Sequence, residues 1–103
     1  MILVAGGTGF VGTKVVHALR AAELPVRVLA RKPEKQDQLR AWDCEIVQGD
    51  LTDPDSLRRA AAGCDTVVHT AAIVSNAASS GDAWRINVLG TRNAIDAAVE
   101  GGA

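Results

Sequence analysis

The chain has 103 residues, 48% of them apolar but only 3% aromatic, and its 11 basic and 12 acidic side chains leave a net charge of −1. That length allows one core, a single domain over residues 1–103, burying about 65% of the surface an unfolded chain exposes. The interspersed charge excludes the basic footprint of a nucleic-acid binder. No apolar run approaches the ~20 residues of a membrane span, and no basic segment precedes an apolar stretch and cleavage site, so the expected location is the cytoplasm.

Short apolar runs alternate with longer helical segments, the signature of βα units and a parallel sheet. The first strand is Ile2 to Ala5. The first helix starts near Gly9 or Phe10, carries Val11, Val15, Ala18, Leu19 and Ala22 on one face, and stops before Pro25. Val26 to Ala30 form the second strand, a short polar helix begins at about Glu34, and Glu45 to Gln48 form the third strand. Asp53 reads as an N-cap with Pro54 at the first helical position, opening a helix through Leu57 to Ala62. Thr66 to Thr70 form the fourth strand, and the small-residue loop "AAIVSNAASSG" leads into a helix from about Asp82 to Glu100.

Four such units joined by right-handed crossovers give an α/β fold, a Rossmann-like open parallel sheet with helices on both faces. Strand order 3-2-1-4 is the expectation, a truncated doubly wound fold with its switch point between strands 1 and 4. Gly6 to Gly12, Arg31, Asp50, Ala71 and Ala72 each follow a strand end and so surround one crevice. In that order strands 3 and 4 lie roughly 14 Å apart, too far for a disulfide between Cys44 and Cys64. Neither His17 nor His69 stands at a metal-ligand interval from them, so both thiols read as structural and no metal site is expected.

"VAGGTGFVG" places glycines at 6, 9 and 12, directly after an apolar strand and at the start of an amphipathic helix. Side chains would bar a pyrophosphate from the helix N-terminus, whose free N–H groups and positive dipole end favour an anion. Gly6, Thr8, Gly9, Phe10, Val11 and Gly12 are therefore candidates to hold one. The alternative is a tight turn that needs glycine for its backbone angles alone.

The G-x-x-G-x-x-G spacing resembles that of the extended short-chain dehydrogenase/reductases, the NAD(P)-dependent epimerase/dehydratase family, and in particular members similar to hopanoid-associated sugar epimerases and dihydroflavonol reductases. Three further motifs extend the resemblance over the chain: Gly49-Asp50-Leu51, Asp65-Thr66-Val67-Val68-His69-Thr70-Ala71-Ala72, and Asn87-Val88-Leu89-Gly90-Thr91-Arg92-Asn93. The resemblance implies that Asp50 and the backbone of Leu51 meet adenine, and that Ala71 and Ala72 lie beside the cofactor. Asp50 alternatively initiates the turn before Asp53. His69 reads as a packed, hydrogen-bonded histidine, His17 as a surface residue, and Arg58 and Arg59 as a solvated helix face. Asn87, Thr91 and Asn93 read equally as fasteners of the last helix.

NAD-preferring members of that family carry an acid at the end of strand 2, where this chain has Ala30-Arg31-Lys32. A carboxylate there repels a 2′-phosphate, whereas arginine pairs with it and stacks on adenine. NADP(H) is therefore the expected cofactor, with NAD the alternative; on the opposing reading Arg31 and Lys32 are ordinary surface cations.

The family's chemistry runs through a Tyr-x-x-x-Lys pair, and this chain contains no tyrosine. Lys14, Lys32 and Lys35 all fall among its first 35 residues, and Ser75, Ser79 and Ser80 do not match the family's catalytic serine. The expectation is a cofactor-binding portion of an oxidoreductase or sugar epimerase/dehydratase, with no catalytic residue, that binds without turnover. Its rivals are a standalone nucleotide-binding module and a structural minimal fold. Strand 4 has no fifth strand beside it in this reading, so a homo-oligomer through that edge or the last helix is expected.

Overall fold

Alternate residues of each strand point to opposite sides of a sheet, and in this chain both sides are apolar, which calls for helices on both. The computed structural model describes residues 1–70 and 88–103. Its strands are β1 (Ile2–Ala5), β2 (Val26–Ala30), β3 (Glu45–Gln48) and β4 (Thr66–His69). They form one four-stranded sheet in the order β3-β2-β1-β4, with every neighbouring pair parallel. This is the doubly wound arrangement expected from the sequence, a Rossmann-like α/β fold.

The helices are α1 (Phe10–Ala21), α2 (Asp37–Ala41), α3 (Pro54–Ala61) and α4 (Gly90–Glu100), with a 3-10 turn at Pro33–Lys35. Val4, Val28 and Val26 turn to one side of the sheet and meet Val16 of α1 and Leu39 of α2, together with Cys44. Leu3 and Leu29 turn to the other and meet Leu57, Ala60 and Ala61 of α3, Ala97 of α4, and Cys64. Burial pushes both cysteine thiols above their ordinary value, with the Arg27 guanidinium partly offsetting this at Cys64. Both are free, and at neutral pH they act as small core hydrophobes.

Three sequence expectations need correction. The inward face of α1 runs through Gly12 and Val16, flanked by half-buried Val15 and Leu19, while Val11, Ala18 and Ala22 are exposed. Counting apolar side chains had missed Gly12, which faces the sheet because it has none. The helix expected from Glu34 starts at Asp37, since the preceding residues close the 3-10 turn through Lys35 N to Lys32 O at 3.1 Å and Gln36 N to Pro33 O at 3.1 Å. The fourth strand ends one residue earlier than expected, although Thr70 N still donates to Ala5 O at 2.8 Å. The expected start of the last helix, Asp82 to Asn87, lies outside the described residues.

Helix ends follow local chemistry. Asp53 caps α3, its carboxylate accepting from Asp55 N at 3.2 Å and Ser56 N at 3.5 Å, with Pro54 in the first turn. Arg27 of β2 donates to the terminal α3 carbonyls Ala60 O and Ala62 O at 2.6 and 2.7 Å and pairs with Glu45 of β3 at 3.3 Å, as expected for a cation at a helix C-terminus. α1 and α2 are followed by left-handed residues, Glu23 (φ 61°) and Asp43 (φ 62°), which turn the chain back into the next strand. No described helix is long and apolar enough to cross a membrane.

Candidate functional site

Because all four strands run parallel, their carboxyl ends share one edge. Ala5 lies opposite Leu29 and His69, and Ala30 lies opposite Gln48. The segments that follow, Gly6 to Gly12, Arg31 and Lys32, Gly49 to Leu51, and Thr70, therefore leave the sheet along the same rim. Ala71 and Ala72, expected on that rim, lie outside the described residues.

The glycine segment turns sharply from β1 into α1. Gly6 sits at φ 98°, a region that residues with a Cβ rarely adopt, and its carbonyl accepts from Gly9 N at 3.0 Å. A Cβ on Gly12 would overlap the Gly6 carbonyl oxygen, so α1 can start this close to β1 only with glycine there. Gly9 is the N-cap residue and offers no side chain to cap the helix, and no acidic residue stands in the first turn. The first-turn N–H groups have no carbonyl behind them within the helix, and the positive end of α1 is left uncompensated by any side chain of its own turn. Thr8 and Gly9 are exposed beside it, as are Phe10 at 80% and Val11 at 59%. The Lys14 ammonium lies 4.5 Å from the centre of the Phe10 ring.

Thr13, which sequence reasoning did not single out, braces this loop. Its hydroxyl lies 2.6 Å from Gly9 O and 3.2 Å from Gly7 O. One hydroxyl proton serves two acceptors, and both belong to the segment that must keep its shape. The sequence signal is a hydroxyl residue in the first turn after the third glycine, a position where a side chain reaches back by one helical turn.

At the end of β2, Arg31 and Lys32 are exposed. The Arg31 side chain makes no hydrogen bond or ion pair among the described residues, so nothing there competes for its guanidinium. At the end of β3, Asp50 shapes its own turn: Oδ1 accepts from Thr52 N and from the Thr52 hydroxyl, each at 2.9 Å, and Asp50 O accepts from Asp53 N at 2.9 Å. The turn-initiating role weighed for Asp50 is thus present. It occupies one carboxylate oxygen and leaves Oδ2 without a hydrogen bond among the described residues. Leu51, half-buried, gives its carbonyl to Asn93 Nδ2 at 2.8 Å.

His69 closes β4. Its Nε2 lies 2.9 Å from the Thr91 hydroxyl of α4, and burial lowers its pKa below the ordinary 6.5. Its Nδ1 is buried without a partner among the described residues. Asn93 and Thr91 do fasten α4, the first to the β3 turn and the second to β4. Asn87 lies outside the described residues, as do Ser75, Ser79 and Ser80. His17 is exposed and leans on Trp42, ring centroids 5.0 Å apart. Among the described residues no group of three His, Cys, Asp or Glu side chains could hold a metal ion.

Comparison with known proteins places these features in a lineage. A ketoreductase from Stigmatella aurantiaca, named for its 4-hydroxy-2-methyl-3-oxo-4-farnesyl-3,4-dihydroquinoline-1-oxide substrate, is 36% identical over 95 residues, covering 92% of this chain and 28% of the relative. A 3 beta-hydroxysteroid dehydrogenase/Delta 5→4-isomerase from Mycobacterium tuberculosis is 39% identical, covering 98% of this chain and 29% of the relative. Among solved structures, a short-chain dehydrogenase/reductase superfamily protein from Agrobacterium tumefaciens with bound NAD superimposes with a TM-score of 0.81 at 38% identity, covering 100% of this chain and 30% of the other. The chain thus spans less than a third of the length of each of these proteins. The family model of the NAD dependent epimerase/dehydratase family matches residues 2–103, and with the glycine turn, the sheet order and these relatives in agreement, the chain belongs to that family.

Proposed function

We propose that the chain binds a dinucleotide cofactor, NADP(H) in preference to NAD(H), as the cofactor-holding portion of a reductase or epimerase/dehydratase. The observation that carries this reading is the uncapped N-terminus of α1, lying on the same rim as an exposed, unengaged Arg31. The residues fit the group. Gly6, Thr8, Gly9, Phe10, Val11 and Gly12 hold the pyrophosphate, whose charge replaces the capping group that the sequence omits. Arg31, with Lys32 beside it, pairs with the 2′-phosphate, since the two residues that follow β2 are both cations. Asp50 and Leu51 face the adenine; Ala71 and Ala72, outside the described residues, are assigned to the ribose on the sequence resemblance alone.

When bound, the cofactor supplies hydride transfer at a carbonyl or alcohol carbon. The Agrobacterium tumefaciens structure with bound NAD supports the binding half of this reading. The Stigmatella aurantiaca ketoreductase and the Mycobacterium tuberculosis dehydrogenase/isomerase support a small carbonyl compound as substrate of the reaction the cofactor serves. A nucleotide-sugar is the alternative substrate that the epimerase side of the family supports. No residue of the chain is assigned a catalytic role, and it contains no tyrosine to act as the general acid. Binding without turnover is the activity proposed for these 103 residues.

Calorimetric titration with NADPH and, separately, NADH tests the proposal. NADPH should bind at least tenfold more tightly, a difference of about 1.4 kcal/mol. Arg31→Ala should abolish that preference and leave NADH affinity within about twofold of its starting value. Equal affinities in the unaltered chain overturn the NADP(H) preference, and no heat with either cofactor overturns the binding reading itself.

A further inference from the structure

Two side chains far apart in sequence meet at one peptide unit. Leu51 O accepts from Asn93 Nδ2 across 42 residues of sequence at 2.8 Å, and the N–H of the same unit, that of Thr52, donates to Asp50 Oδ1 at 2.9 Å. A carbonyl only accepts, so the amide nitrogen of Asn93 must face it. The peptide group is planar, and holding it at both ends fixes its tilt. The Thr52 hydroxyl adds a second bond to Asp50 Oδ1 at 2.9 Å. Two donors from one residue thus hold one carboxylate oxygen, which sets the direction of the other.

The preceding peptide is pinned as well. Ser56, 2% exposed, accepts from Asp50 N at 3.0 Å and brings its hydroxyl within 3.0 Å of Asp50 O and 2.8 Å of Asp53 O. α4 is close enough to act on this turn because its first residue is Gly90, where a Cβ would stand 3.1 Å from the Leu51 Cβ. The β3–α3 turn is therefore braced from below by α3 and from the side by α4, and the bracing ends at a carboxylate oxygen that makes no hydrogen bond of its own among the described residues.

We propose that Asn93 is a positioning residue for base recognition: through the Leu51–Thr52 peptide it aims the Asp50 carboxylate at the exocyclic amine of the adenine. This rests on the cofactor reading above. A fixed carboxylate oxygen accepts from an amino group and opposes a carbonyl oxygen in the same place, so the brace contributes selectivity for adenine over a 6-oxo purine in addition to affinity. Loosening the brace lets the carboxylate turn away, which costs adenine its advantage. A 6-oxo purine has no hydrogen bond to that oxygen to lose, so loosening the brace does not weaken its binding.

Titrating the unaltered chain and Asn93→Ala with NADPH and with its analogue carrying hypoxanthine in place of adenine tests this directly. Asn93→Ala should weaken NADPH about three- to tenfold, the worth of one hydrogen bond, and leave the analogue within about twofold, so discrimination between the two falls by the same factor. Thr52→Val removes the hydroxyl bond to Asp50 without touching α4. It should lower discrimination in the same direction, and it carries the test alone if Asn93→Ala does not fold. Equal weakening of both ligands by a folded variant overturns the proposal, because Asn93 then supports the fold only, and so does discrimination that stays at its original value. Failure of the unaltered chain to bind either ligand overturns the cofactor reading, and this inference with it.

Discussion

The two ring nitrogens of His69 stand in different circumstances, one against the Thr91 hydroxyl at 2.9 Å and the other buried without a partner among the described residues. Burial disfavours the imidazolium and lowers the pKa of the folded chain below the ordinary 6.5. Between the lowered value and about 6.5 the unfolded chain binds a proton that the folded chain refuses. The stability that neutral His69 contributes is therefore fully present above pH 6.5 and is lost as the pH falls through that window. The urea midpoint should be lower at pH 5.5 than at pH 7.5, and His69→Gln, which keeps a polar group toward Thr91 but does not titrate, should shrink that difference. An unchanged pH difference in His69→Gln would show that another group is responsible. The residue is structural on this account, as its place inside an apolar strand suggests from sequence.

At the level of the element, α3 depends on its first residue outside the helix. Asp53 satisfies two N–H groups that no carbonyl can reach, those of Asp55 and Ser56, and its charge complements the helix dipole. Asp53→Ala should destabilise the chain by about 1 kcal/mol in urea unfolding, with Asp53→Ser recovering most of it. An unchanged midpoint would mean that water replaces the cap without cost. This element was legible because capping is written in adjacent residues, "DPDS", as a local chemical need. The glycine turn was legible for the same reason: Gly6 and Gly12 answer steric demands only glycine meets, so residue identity encodes the geometry. The inward stripe of α1 was misread because Gly12 makes its contact by lacking a side chain, which a count of apolar residues cannot register. The braces of the site were not legible, since Thr13, Ser56 and Asn93 act on backbone atoms whose position only the folded turn defines. Asn93 was noted as a fastener, but its partner, Leu51 O, is separated from it by 42 residues of sequence and is brought near by the packing of α4 beside the β3 turn.

At the scale of the whole molecule, the sheet and its last helix leave apolar surface uncovered among the described residues. Among the described residues, β4 is an edge strand paired only with β1. On α4, Ile95 is 57% and Val99 72% exposed, and Val88, just before the helix, is 48% exposed. Their spacing of seven and four residues puts them on one stripe. Both features favour association of the 103-residue chain, but they differ in strength. An edge of four residues offers a short ladder of main-chain bonds, whereas a stripe of branched aliphatic side chains removes more apolar area from water for each copy that docks. The helix face is therefore the expected contact, and sedimentation should give a mass that rises with concentration. Val99→Glu introduces a charge into the stripe at a position too exposed to matter for the core, so it should return the chain to monomer, with an unfolding midpoint equal to that of the unaltered chain at concentrations where both are monomeric. Association that persists in Val99→Glu would assign the contact to the β4 edge instead, and a monomer mass independent of concentration in the unaltered chain would show that neither surface associates.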